Sequence, residues 1–456
     1  MRARLGMLAL LAGGVVALAQ PAAWAGMPQA DFFTCEGGGQ PQRFRPAAHT
    51  DVVPSLPLKS IITVPTSQPW AGTYQQTDIQ VGNQVFNMTL DTGSSWMVLN
   101  ASAVADNAQI VPTGRMAAVT YGGGSTCAAG PVVTAPVSIG GRKPQQLTFL
   151  LANSGNFPFL GIFGINTWQP PASLLDNPLP AMGIDTYQIT LPRTSDAQAH
   201  GNWVINAQPE IEGANPRRVA TFRNRALAGG NRVFVPGTMT TSRSADGDFM
   251  LDIGTPENIV TVFPRPARQL GYDFANELWA TPKRAVRIQV QPSAQPPFEL
   301  RSSTVATRTG AMFTLSRSQV ARPYSGVAGL AGTDAIIGAD YVRDWVMGVR
   351  FTQNRGVVRL LARERTPADL RHCGQPPVPP NIEANGRTRL LRADCEVNGA
   401  PLIVRVKGPK IYRLIERRNG SLWIRTFGAS GSLRITWHAP AYVYNNRFSE
   451  SRTYRL

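Results

Sequence analysis

Apolar and polar residues alternate with a period of two over much of this chain, the signature of half-buried β-strands. The clearest instance joins Tyr74-Gln-Gln-Thr-Asp-Ile-Gln-Val81 to Val85-Phe-Asn-Met-Thr-Leu90 across Gly82-Asn83, a turn pair that predicts a hairpin. Similar short strands are predicted over 116–121, 132–139, 146–151 and 187–191, with Pro and Gly between them. A second set starts at 202–206 and ends at 356–361. Helical periodicity is scarce, and its best candidate is a short stretch around 340–344. Past Gln375-Pro-Pro-Val-Pro-Pro380, which reads as a stiff linker, segments 402–406, 411–415, 422–426 and 433–437 look like strands of a separate small module.

Composition agrees with an all-β chain. At 456 residues it exceeds the roughly 150 of a typical domain, so two or three compact units are expected. The 43% hydrophobic content gives each a core, while Gly 43 and Pro 37 suit many turns. Residues 1–25 read as a secretory signal: Arg2 and Arg4 precede an uncharged apolar stretch over 5–19, and Ala23-Trp24-Ala25 supplies the small residues of a cut site. That stretch is shorter than the ~20 residues of a spanning helix, so no transmembrane segment is expected after its removal. The expected location is periplasmic or extracellular. Residues 26–60 are polar and rich in Gly and Pro, as either a propeptide or an ordered N-terminal arm.

Four cysteines, Cys35, Cys127, Cys373 and Cys395, favour disulfides outside the cytoplasm and allow three pairings. Sequence does not choose among them; Cys373 with Cys395 is preferred because it closes a short loop near a domain boundary. The four histidines, His49, His200, His372 and His438, are scattered. No metal site and no cofactor are expected.

The candidate chemistry lies in a repeat. Met88-Thr-Leu-Asp91-Thr92-Gly93-Ser94 recurs loosely as Phe249-Met-Leu-Asp252-Ile253-Gly254-Thr255. Each copy is an apolar strand ending in Asp, then one residue, Gly and a hydroxyl. Such a turn holds a carboxylate at the end of a rigid strand, where Gly lets the backbone approach its counterpart and the hydroxyl bonds the carboxylate. Alone, a three-residue match also describes an ordinary turn with a solvated Asp.

Its surroundings are more specific. Val119-Thr120-Tyr121-Gly122-Gly123-Gly124-Ser125 follows 30 residues after Asp91 and resembles the flap of the pepsin-like aspartic peptidases. Gly161-Ile-Phe-Gly164-Ile165 and Ala335-Ile-Ile-Gly338-Ala339 resemble the segments that thread behind each catalytic loop of that family. Trp345-Val-Met-Gly-Val-Arg-Phe351 with Asn354-Arg-Gly-Val-Val358 resembles its closing strands. Order and spacing match from about Tyr74 to Leu361. The resemblance implies a bilobed double β-barrel with a cleft between an N-terminal lobe, 61–190, and a C-terminal lobe, 191–365. It implies Asp91 and Asp252 as the catalytic pair, supported by Thr92, Gly93, Ser94, Gly254 and Thr255. It also implies a substrate flap of Tyr121, Gly122 and Gly123 over an extended polypeptide. The expected activity is that of an aspartic endopeptidase, acting as a monomer on water held between two carboxyl groups that share a proton.

Three departures qualify that expectation. The family places Thr or Ser between Asp and Gly in both lobes, whereas Ile253 has no hydroxyl. The family's flap-steadying Trp falls where Val98 stands, two places after Trp96. Pro256-Glu257-Asn258 replaces the usual small hydroxyl residue. The alternative reading is a pepsin-fold protein that binds or inhibits without turnover, and Ile253 is its main support.

Charge adds a further expectation. Residues 371–456 hold 15 Lys or Arg against 5 Asp or Glu, a net of +10 out of +17. With Arg417-Arg418 and the aromatics Tyr412, Trp423, Trp437, Tyr442 and Tyr444, the module over 375–456 reads either as a small β core with a solvated basic surface or as a binder of anionic envelope polymers.

Overall fold

The Gly82-Asn83 turn closes as its sequence demands, with Gly82 at φ +58° in the left-handed region that glycine enters without strain. Strand Gln76–Val81 pairs antiparallel with Gln84–Asp91, from Gln76↔Thr89 to Val81↔Gln84. This computed structural model describes residues 35, 41–50, 56–66, 74–121, 126–167, 174–192, 201–226, 233–255, 259–271, 279–280, 287–300, 312–315, 333–352, 354–363, 379, 381–391, 396–397, 400–401, 403–409, 411–416, 421–427, 431–439 and 448–456. The expected signal segment 1–25, Gly122, Gly123, Glu257, Cys373, Cys395, Arg417, Arg418, Tyr442 and Tyr444 lie outside them, as does most of the expected linker 375–380.

The protein is all-β and bilobed. In the N-terminal sheet, strand Gln84–Asp91 runs parallel to Gly161–Gly164, which in turn lies antiparallel to Met97–Asn100. Strands Gln145–Ala152, Thr126–Ile139 and Val111–Tyr121 extend it, and Gln76–Val81 also pairs with Thr126–Ile139, so the sheet curls back on itself. The C-terminal sheet repeats this core: Ser244–Asp252 runs parallel to Ala335–Gly338, and Ile259–Val262 is antiparallel on the far side. Central strands such as Met97–Asn100 and Gly161–Gly164 are buried along their whole length, which explains continuous apolar runs in place of alternation.

A third, six-stranded sheet joins the two halves in the order Ile62–Thr66, Gly201–Ile205, Thr186–Thr190, Trp345–Phe351, Arg355–Ala362, Val219–Arg225. Trp203 is fully buried there, its ring 6.1 Å from Phe163 and 6.5 Å from Tyr187. The stretch 340–344 forms no full helix but a 3-10 turn, Ala339–Tyr341. It delivers Arg343 into the interior, where it pairs with Asp340 at 3.2 Å and donates to Pro192 O at 2.7 Å. Arg363 donates to Leu191 O at 2.8 Å, so two arginines hold the chain where one half passes to the other. Sequence reading missed the helix Pro264–Leu270, whose Pro start and left-handed Gly271 end are ordinary helix punctuation hidden by its shortness.

The last portion folds around its own core of Leu390, Ile424, Leu433, Ile435, Trp437 and Tyr454. It has two three-stranded sheets: Arg387–Leu391, Leu422–Thr426 and Tyr412–Glu416; and Ile403–Lys407, Ser432–Ala439 and Phe448–Arg455.

Residues 41–50 pack as an arm on the N-terminal sheet: Phe44 sits against the core, and Gln42 N donates to Phe157 O at 3.0 Å. The disulfide observed is Cys35–Cys127, with Cα atoms 5.7 Å apart. It leaves Cys373 with Cys395 as the one further pair the sequence allows. Because the bridge closes a separation of 92 residues, Cys127→Ala should lower the unfolding free energy by about 2–4 kcal/mol. Denaturant titration with and without reductant checks this, since the difference should vanish once the wild type is reduced.

Candidate active site

Both acidic residues stand at strand ends. Asp91 lies opposite Gly164 in its parallel pair, and Asp252 lies opposite Gly338 in the other. Beyond each, the chain turns in the same way: Ser94 N donates to Asp91 O and Thr255 N to Asp252 O, both at 3.4 Å. The turns present matching donors to the carboxylates. Gly93 N bonds Asp91 Oδ1 at 2.7 Å, and Gly254 N bonds Asp252 Oδ1 at 2.8 Å. Ser94 Oγ bonds Asp91 Oδ2, and Thr255 Oγ1 bonds Asp252 Oδ2 at 2.7 Å. The repeat thus places Asp91, Gly93, Ser94, Asp252, Gly254 and Thr255 in one constellation.

The glycines set how closely the loops approach. A Cβ on Gly93 would lie 2.8 Å from Asp252 Oδ2, and one on Gly254 would collide with the Asp91 carboxylate. Thr92 locks the approach across the lobes: its hydroxyl donates to Leu251 O and accepts from Ile253 N, both at 2.9 Å. The lock is one-sided, because the equivalent position is Ile253, buried at 1% exposure in the common core. A second crossing comes from Asn166, whose Nδ2 donates to Thr92 O at 2.9 Å and lies 3.3 Å from Met250 Sδ. Asn177 in turn donates to Asn166 O at 2.9 Å.

Asp91 and Asp252 are only 7% and 5% exposed. Burial, followed by the charge of Asp252, holds the Asp91 carboxyl well above the usual carboxylate range; the bonds from Ser94 and Gly93 oppose this without cancelling it. The pair therefore tends to retain a proton at pH values where an exposed aspartate has lost it.

Tyr121 ends the strand Val111–Tyr121, while Gly122 and Gly123 lie outside the described residues. Its ring is 6.0 Å from Phe157, and burial, followed by the charge of Asp91, pushes its phenol well up. Trp96 packs against the same apolar cluster as Tyr121, with the fully buried Val98 beside it. Sequence reading missed the rest of an aromatic line: Phe157 stacks edgewise on Phe159 at 5.5 Å, and Phe159 on Tyr74 at 4.8 Å. The Tyr74 phenol is raised by burial and then by the charges of Asp91 and Asp252. The alternation Phe157-Pro158-Phe159 before Gly161 was the available signal, as was a polar Asn166 closing an apolar run.

Residues 77–167 match the family model described as Aspartyl protease. This segment includes Asp91, Ser94 and Tyr121, and the second acidic loop lies beyond it. No curated protein matches the chain. Among solved structures, the aspartic proteinase from Irpex lacteus is similar at a TM-score of 0.46 and 15% identity, over 66% of this chain and 98% of that one.

Thr92→Val removes the hydroxyl and leaves a buried carbonyl and a buried amide of the opposite lobe unpaired. It should cost about 2–4 kcal/mol of stability, while Thr92→Ser should recover most of it. Thermal unfolding of both variants checks this; equal losses would mean the hydroxyl bridge contributes nothing.

Proposed function

We propose that the protein is an aspartic endopeptidase, with Asp91 and Asp252 as its catalytic pair. The observation that carries this is two buried carboxyl groups, each at the end of a strand in a parallel pair, brought together by a glycine turn from either lobe. The Aspartyl protease family match over 77–167 supports it.

At acidic pH the two carboxyls share one proton, since the charge of one beside the other and their burial both oppose a second ionisation. A water placed against both carboxyls gives a proton to the ionised member as its oxygen attacks the peptide carbonyl carbon. The protonated member donates to the carbonyl oxygen, so the tetrahedral diol forms without charge accumulating on it. The carboxyl protonated by the water then gives that proton to the amide nitrogen, and as the C–N bond breaks a diol hydroxyl returns its proton to the other carboxylate, so that a carboxylic acid and an amine leave and the pair again holds one proton. Ser94 and Thr255 fix the carboxylate orientations throughout, and Tyr121 closes over an extended polypeptide. Export to the periplasm or the cell exterior, and action as a monomer, belong to the same proposal.

A second reading, peptide binding without turnover, rests on Ile253 and the missing half of the inter-lobe bridge. Hydrolysis of a mixed peptide library separates the two. Wild type should cut most rapidly at acidic pH and lose activity as pH rises through the elevated Asp91 titration, while Asp91→Asn and Asp252→Asn should each abolish cutting. Identical residual cleavage by all three would leave only the binding reading.

Stability gives an independent check. The folded state holds the Asp91 proton more tightly than the unfolded chain, whose carboxyl titrates near 3.8. Folding free energy is therefore lost as pH climbs above that value, and none is lost below it. Asp91→Asn should consequently raise the melting temperature relative to wild type at neutral pH, with the gain shrinking towards pH 3.

A further inference from the structure

The C-terminal module carries a feature that peptide hydrolysis does not use. In the sheet of Arg387–Leu391, Leu422–Thr426 and Tyr412–Glu416, Arg387 pairs with Arg425 and Arg425 with Arg413. Residues directly opposite on neighbouring strands share a face, so three arginines form a row across the sheet, spanning about 10 Å. All three are exposed, while Ile424 between the two rows, and Leu390 beyond them, are buried in the module core. The adjacent row places Arg389 opposite Trp423 and Trp423 opposite Ile415. Among the described residues no Asp or Glu occupies this face, and none of Arg387, Arg413 and Arg425 makes an ion pair.

Like charges directly opposite one another destabilise a sheet, and among the described residues no carboxylate on the face offsets the cost of this row. A ligand of opposite charge offsets it. The aromatic residues narrow the class of ligand. Arg389 lies over the Trp423 ring at 5.8 Å, and Arg425 over the 47%-exposed Phe427 ring at 5.2 Å. Each ring thus already carries a guanidinium over one face, which leaves less of it for stacking nucleobases, the usual means of holding single-stranded nucleic acid. A stacked guanidinium still presents its N–H edges outward, as a planar fork that suits carboxylate or sulfate groups.

We propose that this face binds an acidic polysaccharide, with the Arg387–Arg425–Arg413 row meeting successive anionic groups along the polymer. The other three-stranded sheet supplies an internal control. Its outer face is also basic, with Arg405, Lys407 and Arg434 exposed, but Thr436 and Ser451 hydroxyls bonded at 2.7 Å interrupt it.

The test uses the full chain and fluorescently labelled polygalacturonic acid and heparin, read by anisotropy at two salt concentrations. Wild type should bind both polymers, more weakly as salt rises. The triple variant Arg387→Gln/Arg413→Gln/Arg425→Gln should weaken binding about tenfold or more. Arg405→Gln/Lys407→Gln/Arg434→Gln, which removes the same net charge, should change it far less. Melting temperatures of both triples report on folding. If the first triple does not fold, Arg425→Gln against Arg434→Gln makes the same comparison. Equal losses from both triples would reduce the effect to net charge and overturn the assignment. So would absence of polymer binding, or tighter binding of oligo(dT) or anionic phospholipid vesicles than of either polysaccharide.

Discussion

Two carboxyl groups that are each almost wholly withdrawn from water repel one another once both are ionised, and the surrounding structure is arranged to keep them together regardless. Desolvation and the charge of Asp252 both drive Asp91 to keep its proton, and a shared proton turns repulsion into attraction. Keeping the pair together requires rigid strand ends, backbone that passes without a side chain at Gly93 and Gly254, and a donor aimed at each carboxylate oxygen. These demands explain why two distant stretches of sequence look alike. They also explain why the resemblance is densest within four residues of each acid.

The inter-lobe bridge is not symmetric. Thr92 spans the gap with one hydroxyl that both donates and accepts, whereas Ile253 contributes only apolar surface. A buried isoleucine makes contacts with the core that a threonine would make less fully, so the exchange gives up polar locking for packing. Asn166 crosses to Met250 from a different direction and is itself held by Asn177. The two turns are therefore clamped from one lobe, and the carboxylates still receive matching donors from both.

Much of this was legible in the sequence, for identifiable reasons. The hairpin before Asp91 is set by a local alternation and a local turn, so it was readable from sixteen or so residues. The acidic repeat was readable because each turn is a short contiguous motif. Asn166, Tyr74, Phe157 and Phe159 were not, since their roles depend on contacts between segments that sequence order does not bring together. The Cys35–Cys127 bridge is the complement of the preferred Cys373–Cys395 pair, although nothing in the order of the residues shows that Cys35 and Cys127 meet. In the terminal module, alternation located four of the strands but not Arg387–Leu391 or Phe448–Arg455, and only the register revealed that three arginines stand side by side.

The six-stranded sheet has a bearing on how the molecule can be divided. Strands Ile62–Thr66 and Thr186–Thr190 do not touch each other there; each finds its partner in Gly201–Ile205, which lies between them. Cutting the chain after Pro192 and producing the pieces separately would strip the first piece of every ladder partner those two strands possess in that sheet. The result would be open β-edges of the kind that recruit further copies end to end. The two halves repeat one loop geometry, yet through this sheet they are held together as one polypeptide.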